Sequence, residues 1–339
     1  MRRPVLVALA AAVLATAGCS RAGGDGLVDI GAGLRGRKGF TAETFAAAGS
    51  VPRVSALAFD DQGRLWAASA AFADAGDDGV YVVTAQGAAP AKVISGLHTP
   101  LGLAWWQGEL YVASKERIDA YAGFDGTAFA EQRTVVAFPA DVGEVNGIVA
   151  GGDGRLHVGI SAPCDSCTPA NELSGSVVSF LPDGTGLRVD ARSIRAPIGL
   201  AYAPGTDHLY VTMNHRDDLG AATPGDWLAL VDAGQDWGFP GCYGQGGSAC
   251  ATAPSPVATL DKHAAAAGLA FLDGTTAVVA EWATGKVLAV DVGTGKVTTL
   301  VTGIANPVPV VATEGGVLVG DWKTGTIARI TGGMASSSR

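Results

Sequence analysis

Residues 144–160 read EVNGIVAGGDGRLHVGI. An apolar run is broken by Gly-Gly-Asp-Gly and followed by a second apolar run, which is the turn chemistry of a β-hairpin. The phrase recurs as SALAFDDQGRLWAAS (55–69), LGLAWWQGELYVAS (101–114), IGLAYAPGTDHLYVT (198–212), AGLAFLDGTTAVVAE (267–281) and VPVVATEGGVLVGD (308–321). The matching positions are Leu57, Leu103, Ile148, Leu200, Leu269 and Val310. Most copies are followed by a further strand pair, as in GSVVSFLPDGTGLRVDARSI after the third. Four strands in roughly 45 residues make one propeller blade. The chain is therefore predicted to be all-β, a single six-bladed β-propeller of four-stranded antiparallel blades over 40–332. The last repeat holds only three strands. FTAETFAAAG (40–49) is expected to supply the fourth and close the ring, which removes an open edge.

The flanks read differently. Residues 1–18 have the form of a signal peptide: Arg2 and Arg3, an apolar stretch from Val5 to Ala17, then LATAGCS. This ending resembles the lipobox of bacterial lipoproteins. The resemblance implies a lipidated Cys19, export, and attachment to a membrane surface without spanning it; cleavage of a plain signal peptide nearby is the alternative. Residues 19–39 are expected as a linker and 333–339 as a disordered tail. With 48% hydrophobic residues, 16% charged residues and a net charge of −9, the chain can bury a large core and lacks a nucleic-acid footprint.

Four cysteines remain beyond the signal: Cys164, Cys167, Cys242 and Cys250. Export makes disulfides the default. Short separation favours Cys164–Cys167 and Cys242–Cys250, with cross-pairing between neighbouring blades as the alternative. The spacing Cys164-x-x-Cys167 also suits zinc, but the second pair does not follow a zinc-ribbon pattern. No thioredoxin-like strand–helix pattern surrounds the motif, which argues against a redox-active pair.

In a propeller blade, the entrance of the first strand and the loop after the second lie on one face, and function concentrates there. The entrances carry Arg53, His98, Asn146, Arg195, His263 and Asn306. The loops carry Lys115, Asp165, His215, Arg216, Asp217, Trp282, Trp322 and Lys323. His157 and His208 lie in or beside second strands and read as structural.

Two signatures follow in order: Arg195-Ala196-Pro197-Ile198-Gly199-Leu200, then Gly234-Gln235-Asp236-Trp237-Gly238-Phe239-Pro240. With them the chain resembles the glucose/sorbosone dehydrogenase family over most of its length. The resemblance implies a six-bladed propeller, pyrroloquinoline quinone (PQQ) and calcium as cofactors, and oxidation of a small sugar or aldehyde. A histidine base would take the hydroxyl proton, a task suited to a near-neutral pKa. Arg195 matches the family's quinone-contacting arginine; Lys262, Arg216, Trp322 and Lys323 are further quinone candidates by location. Asp226 and Asp217 are the calcium candidates. The chain departs from the pattern at three places. Val145 stands at the position of the catalytic histidine, Ala196 replaces an asparagine, and Trp227 stands where a second acid is expected. His98 or His263 would then serve as base, with Asn146 orienting the hydroxyl. An electron acceptor or protein is a further partner under this reading. Two other readings stand beside it: a non-catalytic propeller binding a carbohydrate or protein, and a metal-dependent propeller lactonase.

Overall fold

The computed structural model describes residues 26–71 and 78–332. The signal segment, Cys19 and the tail 333–339 lie outside the described residues. The strands form six antiparallel blades. Blade one is Val54–Phe59, Leu65–Ser69, Gly79–Val83 and Ala91–Ser95. Blade two is Gly102–Trp106, Glu109–Ser114, Arg117–Phe124 and Phe129–Ala137. Blade three is Val145–Ala150, Leu156–Ile160, Ser176–Phe180 and Arg188–Arg192. Blade four is Ala196–Tyr202, Leu209–Asn214, Gly225–Val231 and Ala258–Lys262. Blade five is Ala266–Phe271, Thr276–Glu281, Lys286–Asp291 and Lys296–Thr302. Blade six is Pro307–Thr313, Gly316–Asp321, Ile327–Gly332 and, from the other end of the chain, Phe40–Ala46.

That last strand closes the ring as the sequence predicts, with Ile330 opposite Ala42 and Gly332 opposite Phe40. The segment expected as linker is structured from residue 26 onward. Leu27–Gly31 and Leu34–Arg37 form a hairpin that extends blade five, with Arg35 opposite Thr302 and Gly36 opposite Val301. Its apolar residues Ile30 and Leu34 bury against Leu300, Val301 and Ile304, which a solvated linker would not do.

The recurring motif has a packing cause. Gly102, Gly147, Gly199 and Gly268 occupy the same position of four inner strands, and all four line the central channel. A Cβ there would lie 2.3–2.6 Å from a carbonyl oxygen of the next blade: that of Asn146, Ile198, Ala267 or Val308 respectively. Only glycine lets four inner strands pack this closely around the axis. Ala56 and Pro309 take this position in blades one and six, on either side of the seam. The core lies between blades, so the second strands are buried on both faces; Leu156–Ile160 is buried throughout. This explains their continuous apolar runs.

The second signature also turns out to be a packing device. Gln235–Asp236 adds a short parallel strand to the outer edge of blade three. Trp237, 1% exposed, fills the space between blades three and four beside Trp227.

Candidate functional site

A cleft of about 460 Å3 opens at the third-blade entrance. Its walls include Lys115 from blade two, Glu144 and Val145 at the head of blade three, Cys164 and Asp165 from the loop after that blade's second strand, and Arg195 at the head of blade four. Arg195 and the third-blade entrance therefore share one cleft.

Within that entrance the side chains divide differently from expectation. Val145 packs among Ile148, Val158 and Ile160, in the apolar cluster between blades two and three. It forms part of the cleft floor but is 1% exposed. Asn146 is turned under the cleft: its Nδ2 donates to Ser161 Oγ at 2.9 Å and to the Glu144 carbonyl at 3.2 Å. Of these three consecutive residues, the ionisable one that lines the cleft is Glu144. It is exposed to solvent; partial loss of hydration beside the cleft walls raises its carboxyl above the usual range, against the pull of Arg195 and Lys115. Position alone could have signalled it: a glutamate immediately precedes an inner strand.

Arg195 Nη2 pairs with Asp165 at 2.8 Å, while Arg195 Nε is buried without a partner. The same Asp165 carboxylate accepts the backbone N–H groups of Asp217 and Asp218, so it ties the blade-three loop to the blade-four loop.

The other candidates fall outside the cleft walls. His263 Nδ1 lies 2.6 Å from Asp217 Oδ1, and its Nε2 lies 2.8 Å from the Gly220 carbonyl. Both partners are acceptors and both raise its pKa. With both ring nitrogens directed at acceptors, His263 is not poised as a base. His98 is exposed in an adjoining hollow that it shares with Lys115. Arg216 forks onto Asp218 and stacks over Tyr243. Lys262 ends the outermost strand of blade four. Trp322 lies in the blade-six loop, where its Nε1 donates to the Ala70 carbonyl and its ring meets Trp282 edge-on; Lys323 follows it.

Asp226 is 2% exposed. Its two oxygens accept the backbone N–H groups of His215 and Ala266, and burial pushes its pKa up to about 6. Beside it His215 is buried against Trp227. Burial, then the nearby Arg195 charge, pushes its pKa down to about 4. These carboxylates are engaged by N–H donors, and among the described residues no cluster of three or more His, Cys, Asp or Glu is arranged to hold a metal ion. The four cysteines pair as Cys164–Cys167 and Cys242–Cys250.

No family model matches the chain, and no curated protein sequence matches it. Solved structures do match. A calcium structure of a carbohydrate-active enzyme of Trichoderma reesei superposes with a TM-score of 0.75 at 16% identity, covering 88% of this chain and 97% of that one. The PQQ-bound aldose sugar dehydrogenase of Streptomyces coelicolor gives 0.71 at 20% identity, covering 87% and 99%. The apo-form of the soluble aldose sugar dehydrogenase of Escherichia coli gives 0.70 at 16% identity, covering 86% and 99%. The chain has the six-bladed fold of PQQ-dependent soluble aldose and glucose dehydrogenases.

Proposed function

We propose that the protein is an exported, oxidoreductase-like propeller that takes a small sugar or aldehyde in the cleft at the third-blade entrance. The observation that carries this is Glu144, a carboxyl raised by loss of hydration that lines a cleft shared with Lys115 and Arg195. Such a carboxyl accepts a hydrogen bond or a proton from a substrate hydroxyl, while the two cations polarise its oxygens. The likeness to aldose dehydrogenases supports the substrate class. Two disulfides support an oxidising compartment, and attachment through a lipid on Cys19 belongs to the same reading.

The residues do not fit PQQ and calcium as these are held in the family pattern. Arg195 is spent on Asp165, and the charges of Lys115 and Arg195 are matched by those of Glu144 and Asp165. A polycarboxylate entering this cleft would meet no net positive charge. Asp226 and Asp217 already serve N–H and imidazole donors. No chemical step is therefore routed through the quinone. The same neutrality favours a second reading, a propeller that binds its sugar without turning it over. The lactonase reading has no metal-ligand cluster to support it among the described residues.

The test is calorimetric titration with a panel of aldoses and small aldehydes, beside dye reduction with PQQ in the presence and absence of calcium. Binding of a sugar or aldehyde that is lost in Glu144→Ala supports the cleft. Turnover separates the two readings. If no compound of this class binds, the proposal falls.

A further inference from the structure

We propose that the Cys164–Cys167 disulfide is a redox-active group in the cleft wall, exchanging with a small thiol that carries both an ammonium and a carboxylate. The proposal stands independently of the sugar reading. It begins from placement. Cys164 lines the cleft and Cys167, three residues on, is exposed to solvent. The other pair offers a contrast within the same molecule: Cys242 is 2% exposed, packed in the cluster that holds Trp237.

The surroundings favour cleavage in one direction. The backbone N–H of Cys167 donates to Cys164 Sγ at 3.0 Å. When the bond opens, that N–H faces a developing thiolate. A hydrogen bond to the charged form lowers a thiol pKa, and a lower pKa makes a better leaving group. In a thioredoxin-like protein a helix N-terminus provides this stabilisation; here a turn N–H takes its place.

The loop does not depend on the bond. Asp165 anchors it to Arg195 and to two backbone N–H groups of the next blade. Asn171 ties its far end to Asp141 and caps Leu173. A bridge closing so short a ring also constrains the unfolded chain little. The pair can therefore open and close on a loop held in place.

The step balances as follows. A thiolate attacks Cys167 Sγ; a new S–S bond forms to Cys167, the Cys164–Cys167 bond breaks, and its electron pair leaves on Cys164 Sγ. A second thiolate attacks the sulfur of the bound small thiol and releases a small disulfide, with Cys167 leaving as thiolate. Two small thiols are oxidised and one protein disulfide is reduced to two thiols. The ligand class follows from charge: Lys115 and Glu144 line the cleft beside the Arg195–Asp165 pair, which suits a zwitterion.

The experiment uses the folded protein in graded glutathione redox buffers, with differential alkylation and peptide mass spectrometry. Cys164–Cys167 should open at least roughly tenfold faster than Cys242–Cys250, with a mixed disulfide trapped on Cys167. Cysteine, with one ammonium and one carboxylate, should exceed 2-mercaptoethanol in rate at equal thiolate concentration. In the reduced protein, alkylation of Cys164 should reach half-rate at a lower pH than that of Cys167. Opening no faster than the reference pair overturns the proposal. So does half-rate alkylation of Cys164 at the ordinary thiol value of about 8.5. Equal rates with the two thiols overturn the zwitterion assignment.

Discussion

Arg195 Nη2 lies 2.8 Å from Asp165 Oδ1, so the guanidinium best placed to hold an anion in the cleft is held by its own chain. Asp165→Asn removes the competing charge while keeping an acceptor for the N–H groups of Asp217 and Asp218. Affinity for PQQ should then rise roughly tenfold or more, in line with the ~1.5–3 kcal/mol of hydrogen bonds to a charged partner. Calorimetric titration of the variant checks it; an unchanged affinity means that this pair is not what disfavours the quinone.

Under the proposed function, Glu144 acts in its ionised form. Its carboxyl is raised, so an affinity that needs the carboxylate as acceptor should be lost as pH falls through that raised value, at a higher pH than for an ordinary glutamate. Glu144→Gln should flatten the profile and weaken sugar or aldehyde binding by about 1 kcal/mol, the typical net worth of one hydrogen bond. If a turnover is found, losing a positioned base should lower the rate by ~10²–10⁴. A pH series of titrations on both proteins decides it.

Asp226 and His215 should give opposing stability slopes. The Asp226 pKa rises on folding to about 6. Between its unfolded value and 6 the native state therefore binds more protons, and this group's contribution falls as pH rises. The His215 pKa falls on folding to about 4. Between 4 and its unfolded value the unfolded state binds more protons, and this contribution rises with pH. Each amounts to roughly 3 kcal/mol across the window from pH 4 to 6.5, and together they nearly cancel. Relative to wild type, Asp226→Asn should show stability increasing with pH, and His215→Gln the reverse. Urea unfolding at pH 4 and pH 7 measures both differences; parallel profiles for all three proteins would sink the argument.

The inner glycines should not tolerate a methyl group. A Cβ on Gly199 would lie 2.3 Å from the Ala267 carbonyl oxygen, and one on Gly268 would lie 2.3 Å from that of Val308. The obstacle in each case is backbone of the next blade, which cannot rotate aside. Gly199→Ala and Gly268→Ala should each cost roughly 1–3 kcal/mol as overpacking, read as a lower urea midpoint. Midpoints equal to wild type would show that the ring spreads freely.

What the sequence by itself determined is the architecture. Six copies of one hairpin phrase dictate six blades, because turn chemistry and apolar period are local and survive repetition. The three-strand last repeat required a partner from the other end of the chain, and Phe40–Ala46 is that partner. The disulfides followed from short separation. The hairpin at residues 27–37 escaped notice because its strands are short and their burial comes from blade five, far along the chain. Only the tertiary structure decided which side chains face the cleft. Val145, Asn146 and Glu144 are consecutive, yet one packs between blades, one bonds beneath the entrance and one lines the opening. The inner strand of blade three carries a register irregularity between Val145 and Ile148, and such a bulge re-aims side chains in a way that no count of residues reveals. The engagement of Arg195, His263 and Asp226 was hidden for a related reason. Their partners Asp165, Asp217 and Ala266 sit 30 to 46 positions away, and become neighbours only when the strands pair and adjacent blades pack.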